Sequence, residues 1–316
     1  MGRRAFLLLC ALALVLSACA APGAQEPATE QKPKETVPEK PATIEPKNLG
    51  DYTWDELSRI SAQLGAESDD DAARELAQHY KLVADDGSLT QETKQIVLND
   101  TRALDVRLAG IRHDERADGS GKAGLTFITV GAWDKRPMNE GGGIEGGWEQ
   151  SDLRAWLAKD AKAMLDDDLA KALVPVNKLT NNVGLTDSAD SVTATSDELW
   201  VFSASEVCGE IHWDVQEYQQ KRGMQDVDGL LGLEGSQYEV FAQAEVSDTS
   251  DPNGFLSLAK STGAMPWWYR SPYPFDWEGM GDTGSKGYFY QVRDSGYPES
   301  IGSPEVPAGV VVGFCV

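Results

Sequence analysis

The chain has 316 residues, with 51 acidic against 28 basic side chains, a formal net charge of −23 and 41% hydrophobic residues. That apolar fraction suits a globular protein rather than a disordered one, and the length allows one large core or two modest ones. The acidity argues against a nucleic-acid binder, whose footprint is basic, and against adsorption to an anionic membrane through basic patches.

Arg3 and Arg4 precede an apolar run from Ala5 to Leu16, which leads into Ser17-Ala18-Cys19. A basic start, about a dozen apolar residues and small residues before a cut read as a secretory signal over residues 1–18. The run falls short of the roughly 20 residues that cross a bilayer as a helix. Leu16 to Cys19 resembles the lipobox of bacterial lipoproteins, which implies cleavage before Cys19 and diacylation of its thiol. Loss of Arg3 and Arg4 with the signal takes the charge from −23 to −25. The expected hold on the membrane is therefore the diacylglycerol, since two acyl chains suffice for stable attachment. The implied location is the extracellular face of a Gram-positive type cell membrane. Residues 19–50 read as a flexible stalk. Six prolines from Pro22 to Pro46 favour extended conformations, and Val37 and Ile44 are almost the only large apolar side chains there.

Residues 51–92 read as a short helical region. Thr53 is placed to cap a helix carrying Trp54, Leu57, Ile60 and Leu64 at helical spacing, and Asp69 to Asp71 open a second one. The C-terminal domain, residues 93–316, begins with period-two alternation at Leu104, Val106 and Leu108. A Gly-rich turn and Leu125 to Val130 follow, together predicting a hairpin. Ser151 or Asp152 starts a helix burying Leu153, Trp156 and Leu157, and Asp166 to Ala172 is helical. Leu199 to Phe202 is a short strand, and Gly229 to Ala244 has helical period. Strands are predicted at Trp267–Arg270, Gly287–Val292 and Val310–Cys315. Helices and strands do not alternate as βαβ units, so the class is α+β with long loops.

Three stretches stand out: Gly146-Gly147-Trp148 running to Leu153-Arg154-Ala155-Trp156-Leu157, Leu199-Trp200-Val201-Phe202 with Ser203 to Val207, and Trp267-Trp268-Tyr269-Arg270-Ser271-Pro272. With the terminal Gly309 to Phe314, they resemble the domain-of-unknown-function family 6273, common in exported Gram-positive proteins, over roughly residues 95–316. Tyr269 stands where the family usually has Leu, and Val312 where it has Pro. The resemblance implies a C-type-lectin-like or sulfatase-modifying-factor-like mixed domain with a twisted antiparallel sheet, and no established activity. Read physically, the glycines turn the chain, and the apolar residues of these stretches bury. Arg270, among many acids, is expected to hold an ion pair or loop carbonyls.

Cys208 and Cys315 remain once Cys10 leaves with the signal and Cys19 carries lipid. An even pair in an oxidising compartment predicts a Cys208–Cys315 disulfide, the alternative being two buried thiols. By loop entropy such a bridge is worth about 4–5 kcal/mol. Catalytic templates are missing: there is no G-x-S-x-G elbow, H-E-x-x-H, C-x-x-C or Walker loop. His79 reads as a surface residue of the second helix, and His212, between Ile211 and Trp213, as packed. Asp114 to Ser120 has oxygen ligands around a Gly turn, as a Ca²⁺ loop would, but Arg116 sits at a ligand position and a solvated turn is the plainer reading. Asp276, Glu278 and Asp282 form a second candidate Ca²⁺ loop. Trp267, Trp268, Tyr269, Tyr273 and Trp277 crowd together as either a ligand surface or a core beneath loops. The expected function is non-enzymatic binding of an extracellular glycan, peptide or protein. The alternatives are a structural or assembly role in the envelope and a carboxylate-dependent hydrolase acting on envelope polymers.

Overall fold

A capping box at Thr53 starts the first helix: its hydroxyl accepts from the Glu56 amide while the Glu56 carboxylate accepts from the Thr53 amide. Helix α1 (Trp54–Ala66) and α2 (Asp70–His79, capped by the Asp69 carboxylate) form as the spacing predicts. The computed structural model describes residues 43–213, 226–249, 251–258, 261–274 and 287–316. The expected signal segment, Cys19 and residues 19–42 of the expected stalk lie outside the described residues. Ile44–Val316 is one compact unit with one hydrophobic core, so the helical region and the following domain share their interior.

Two five-stranded sheets carry the domain. The first has the order β1 (Lys94–Val97), β2 (Ala103–Ile111), β3 (Leu125–Thr129), β12 (Val312–Cys315), β7 (Trp200–Val201) and is antiparallel throughout. The second runs β10 (Ser300–Gly302), β9 (Tyr288–Val292), β8 (Trp267–Tyr273), β11 (Ala308–Val310), β4 (Asp134–Arg136), with β8 and β11 parallel at Trp267 and Gly309. Residues 308–315 thus supply an interior strand to each sheet in turn. The α+β class holds, with helices grouped around largely antiparallel sheets.

Helix α1 closes the first sheet from outside. Trp54 stands edge-on to Phe127 of β3 at 5.5 Å and to Phe314 of β12 at 5.9 Å. The Leu125 amide donates to the Ser61 hydroxyl of α1 at 3.0 Å. Contact this close is permitted by Gly124, where an added Cβ would lie 2.0 Å from the Ser61 carbonyl oxygen. Gly124→Ala is expected to cost about 2–3 kcal/mol by overpacking, whereas Gly141→Ala, whose Cβ would meet nothing within 4 Å, is expected to be neutral in urea unfolding.

Two departures from the sequence reading matter for the site. The stretch from Gly229 to Ala244 is not one helix but two short ones, Val227–Gly232 and Glu239–Gln243. Between them Gly235 has φ +144°, and a Cβ there would lie 2.9 Å from Glu206 Cγ. A polar hairpin, β5 (Val176–Asn181) with β6 (Val192–Asp197), lies where the sequence reading placed no element. Helices α3 (Asp152–Trp156, capped by Ser151), α4 (Asp167–Ala172) and α5 (Ala204–Cys208) complete the parts used below.

Candidate functional site

The charged residues that sequence reasoning left scattered converge on a sealed centre. Arg270 on β8 is 0% exposed, Lys178 on β5 2%, Glu206 on α5 2%, Asp114 4% and Glu234 1%. Glu206 stands at N3 of α5, where its carboxylate accepts from the Ser203 amide at 3.1 Å in a capping box. From there it meets the Arg270 guanidinium through both oxygens, with Nη2 at 2.9 Å, and Lys178 Nζ at 2.7 Å. Lys178 also reaches Asp114 at 2.7 Å, and Asp114 accepts from the Tyr238 hydroxyl at 2.6 Å and the Thr126 hydroxyl at 2.7 Å. Arg270 donates as well to the carbonyls of Leu179, Val201 and Glu234. The expected role of Arg270, an ion pair or loop carbonyls, is filled on both counts.

Electrostatics assign each acid a different state. Burial raises the Glu206 pKa, but the Arg270 and Lys178 charges outweigh it and hold the carboxyl below its ordinary value. Burial likewise opposes ionisation of Asp114, yet Lys178 and the neighbouring His113 keep it well below the usual carboxylate range. With two cations matched by two anions, Glu234 is the odd acid, and burial pushes it up to about 7 against the Ser271 hydroxyl and the Arg270 charge. No face of this centre opens to solvent, so its chemistry is to join β5, β8, α5 and the segments around Asp114 and Glu234 into one geometry.

The stretches that carried the family resemblance feed the same interior. Trp148 Nε1 donates to Asp197 at 2.9 Å and Arg154 Nε at 2.7 Å, so the first stretch clamps the end of β6. Gly147 is required where the chain passes: its φ is +52°, and a Cβ would lie 2.1 Å from the Asn181 carbonyl oxygen. The second stretch supplies Glu206, and the third supplies Arg270 and Ser271.

Several expectations need correction. Trp267, Trp268 and Tyr269 are 2%, 0% and 0% exposed, because both faces of β8 are covered; Trp268 and Tyr269 offer no ligand surface, and Trp267 contributes only one wall of the cavity described below. Trp267 and Trp268 donate their indole N–H groups to the carbonyls of Leu256 and Arg136 at 2.9 and 2.8 Å. Tyr273 is half-buried against Tyr290, and Trp277 lies outside the described residues, as do Asp276, Glu278 and Asp282. Asp114 is committed to Lys178 and cannot serve the first Ca²⁺ loop, and no cluster of three metal-ligating residues occurs among the described residues. His212 is exposed rather than packed, and its Nδ1 lies 2.9 Å from Asp248. The disulfide is not formed: Cys208 and Cys315 are free, buried thiols. Cys208 Sγ contacts the Tyr269 hydroxyl at 3.6 Å, whereas Cys315 Sγ contacts the Thr126 hydroxyl at 3.3 Å. Burial pushes the Cys208 pKa up to about 12 and holds the Cys315 thiol well above its ordinary value. Both are expected to resist iodoacetamide in the native protein and to be alkylated, without reductant, after denaturation, as read by peptide mass spectrometry.

An open cavity of about 220 Å³ lies elsewhere, on the outer face of the β2–β3 pair. Alternation along β2 sends Val106 and Leu108 into the core and Arg107 to the opposite face. Phe241, Phe255, Leu256, Leu258 and Trp267 form its apolar walls, with Thr129 to Gly131 also lining it. The half-buried Arg107 guanidinium lies 5.3 Å from the Phe255 ring centroid. Burial alone lowers its pKa, and no ion pair or side-chain hydrogen bond to it occurs among the described residues. A second, polar groove of about 370 Å³ is lined by Arg136, Trp156 and Lys159 with Glu140, Asp152 and Asp160, all three acids being exposed.

Sequence reasoning did not single out Arg107; its only signal there was a cation between two core-facing residues of an alternating strand. Lys178 and Glu234 were missed too, since neither lies in a motif. No curated protein and no solved structure matches the chain. Residues 123–311 match the family described as Domain of unknown function (DUF6273). That match covers more than half of the chain, and the chain belongs to this family.

Proposed function

We propose that this chain is a lipid-anchored extracellular protein whose folded part binds a ligand without transforming it. The observation that carries the reading is the Arg107 cavity, a concave apolar site with one convergent charge left unmatched. The strongly perturbed acids, by contrast, are sealed away from any substrate. Anchoring rests on the sequence around Cys19, and no helix among the described residues is long and apolar enough to cross a membrane. A lectin-like or sulfatase-modifying-factor-like fold rests on the motif resemblance, and a glycan, peptide or protein are the ligand classes it suggests. A second reading, assembly within the envelope, draws support from the exposed apolar side chains Leu179, Val183, Leu185 and Leu233.

Two measurements test the proposal. Expressed in a bacterial host, the full-length protein is expected to partition into the detergent phase and to incorporate labelled fatty acid, and Cys19→Ala to do neither. On glycan and peptide arrays the detergent-solubilised protein is expected to retain specific ligands. A blank on every array, with an envelope partner recovered by crosslinking in intact cells, would favour the assembly reading.

A further inference from the structure

The region around Arg107 says more about ligand chemistry than the fold does. In a chain with 51 acidic residues, a half-buried arginine without a carboxylate is an exception. Apart from the exposed Arg293, which lies over Tyr297, every other described arginine reaches an Asp or Glu oxygen at 3.5 Å or less. A guanidinium drawn partly out of water gains most from a planar anion that accepts two of its donors side by side. One cation with apolar walls suits a single negative charge; a dianionic phosphate would be left half-compensated. Size sets the body of the ligand. An apolar cavity of roughly 150 Å³ holds benzene, so about 220 Å³ admits one ring or a short branched alkyl group together with a carboxylate.

Building on the ligand-binding reading, we infer that the Arg107 cavity binds a small monocarboxylate with an aromatic or short alkyl body. The carboxylate pairs with Arg107 while the body lies between Phe255 and the side chains of Leu256 and Leu258. The same chemistry is offered by a free organic acid and by the C-terminal residue of a peptide, and the probes separate the two.

Isothermal titration of the full-length protein in detergent would compare 3-phenylpropionate with its neutral amide, and N-acetyl-glycyl-phenylalanine with its amide. Each acid that binds is expected to bind at least tenfold more tightly than its amide. If the free acid is the tighter of the two, a small organic acid is the source; if the dipeptide is, a peptide C-terminus is. Arg107→Met is expected to remove the acid-over-amide preference while leaving the melting temperature near that of the parent, and Arg107→Lys to retain part of it. Equal binding of acid and amide by the unaltered protein overturns the inference and needs no variant. Absence of binding by all four probes also overturns it; if an array ligand is still retained, the general ligand-binding reading survives, and if none is, both fall.

Discussion

Arg270→Met is expected to destabilise the protein by about 3–5 kcal/mol in urea unfolding, the cost typical of breaking a buried ion pair from one side. Glu206 would keep Lys178 as a partner, but Lys178 is already shared with Asp114 at 2.7 Å. The interior would then hold two carboxylates on one ammonium, and the carbonyls of Leu179, Val201 and Glu234 would lose their donor. Arg270→Lys is expected to recover little, because one ammonium cannot span Glu206 and three carbonyls. The companion change Glu206→Gln is expected to soften the loss in the double variant by at least 1 kcal/mol, a coupling that a double-mutant cycle reads directly. A loss below about 1 kcal/mol for Arg270→Met would mean that the centre does not hold these segments together.

The second large effect depends on pH. Glu234 rises from 4.5 to about 7 in the folded protein, so between those values the folded state holds a proton that the unfolded state has released. Its contribution is fully present below pH 4.5 and is lost as the pH rises through about 7. A shift of that size corresponds to about 3 kcal/mol. Asp114 and Glu206 act in the opposite sense: their pKa values are depressed, so their contribution is present above the ordinary carboxylate range and is lost on acidification. The two slopes place the stability maximum in mildly acidic solution. Glu234→Gln, which keeps a neutral side chain of the same shape, is expected to flatten the alkaline limb and to exceed the parent in stability at pH 8. Parallel urea midpoints for the two proteins from pH 5 to pH 8 would contradict the assignment of the proton to Glu234.

Local signals in the sequence were read well where they were complete in themselves. Thr53 with Glu56, Asp69 and Ser151 each fix a helix start through contacts within three residues. The β2–β3 hairpin follows from alternation alone. Arg270 was understood because a cation in so acidic a chain is placed to find a carboxylate or backbone carbonyls. What failed was pairing at long range. Asp114 looks like the start of a solvated turn until Lys178, 64 residues later, is brought to it, and Lys178 was hidden in a hairpin too polar to read as strand. The cysteines were paired by counting, yet one faces Tyr269 and the other Thr126. The aromatic cluster was the converse case: composition cannot tell a stack facing water from one covered on both sides, and α5, β5, β7 and the loop at Leu256 pack against this one. The Arg107 cavity could not be foreseen, since what marks it is a missing partner.

Residues 308–315 pass from one sheet into the other, interior to both. Until they are laid down, β3 and β7 have no common neighbour, and neither have β8 and β4. A chain emerging N-terminus first would therefore hold two sets of open edges until these strands arrive and let either layer close. A proteolytic nick within those eight residues would open both sheets at once and should act on the whole fold rather than on one strand.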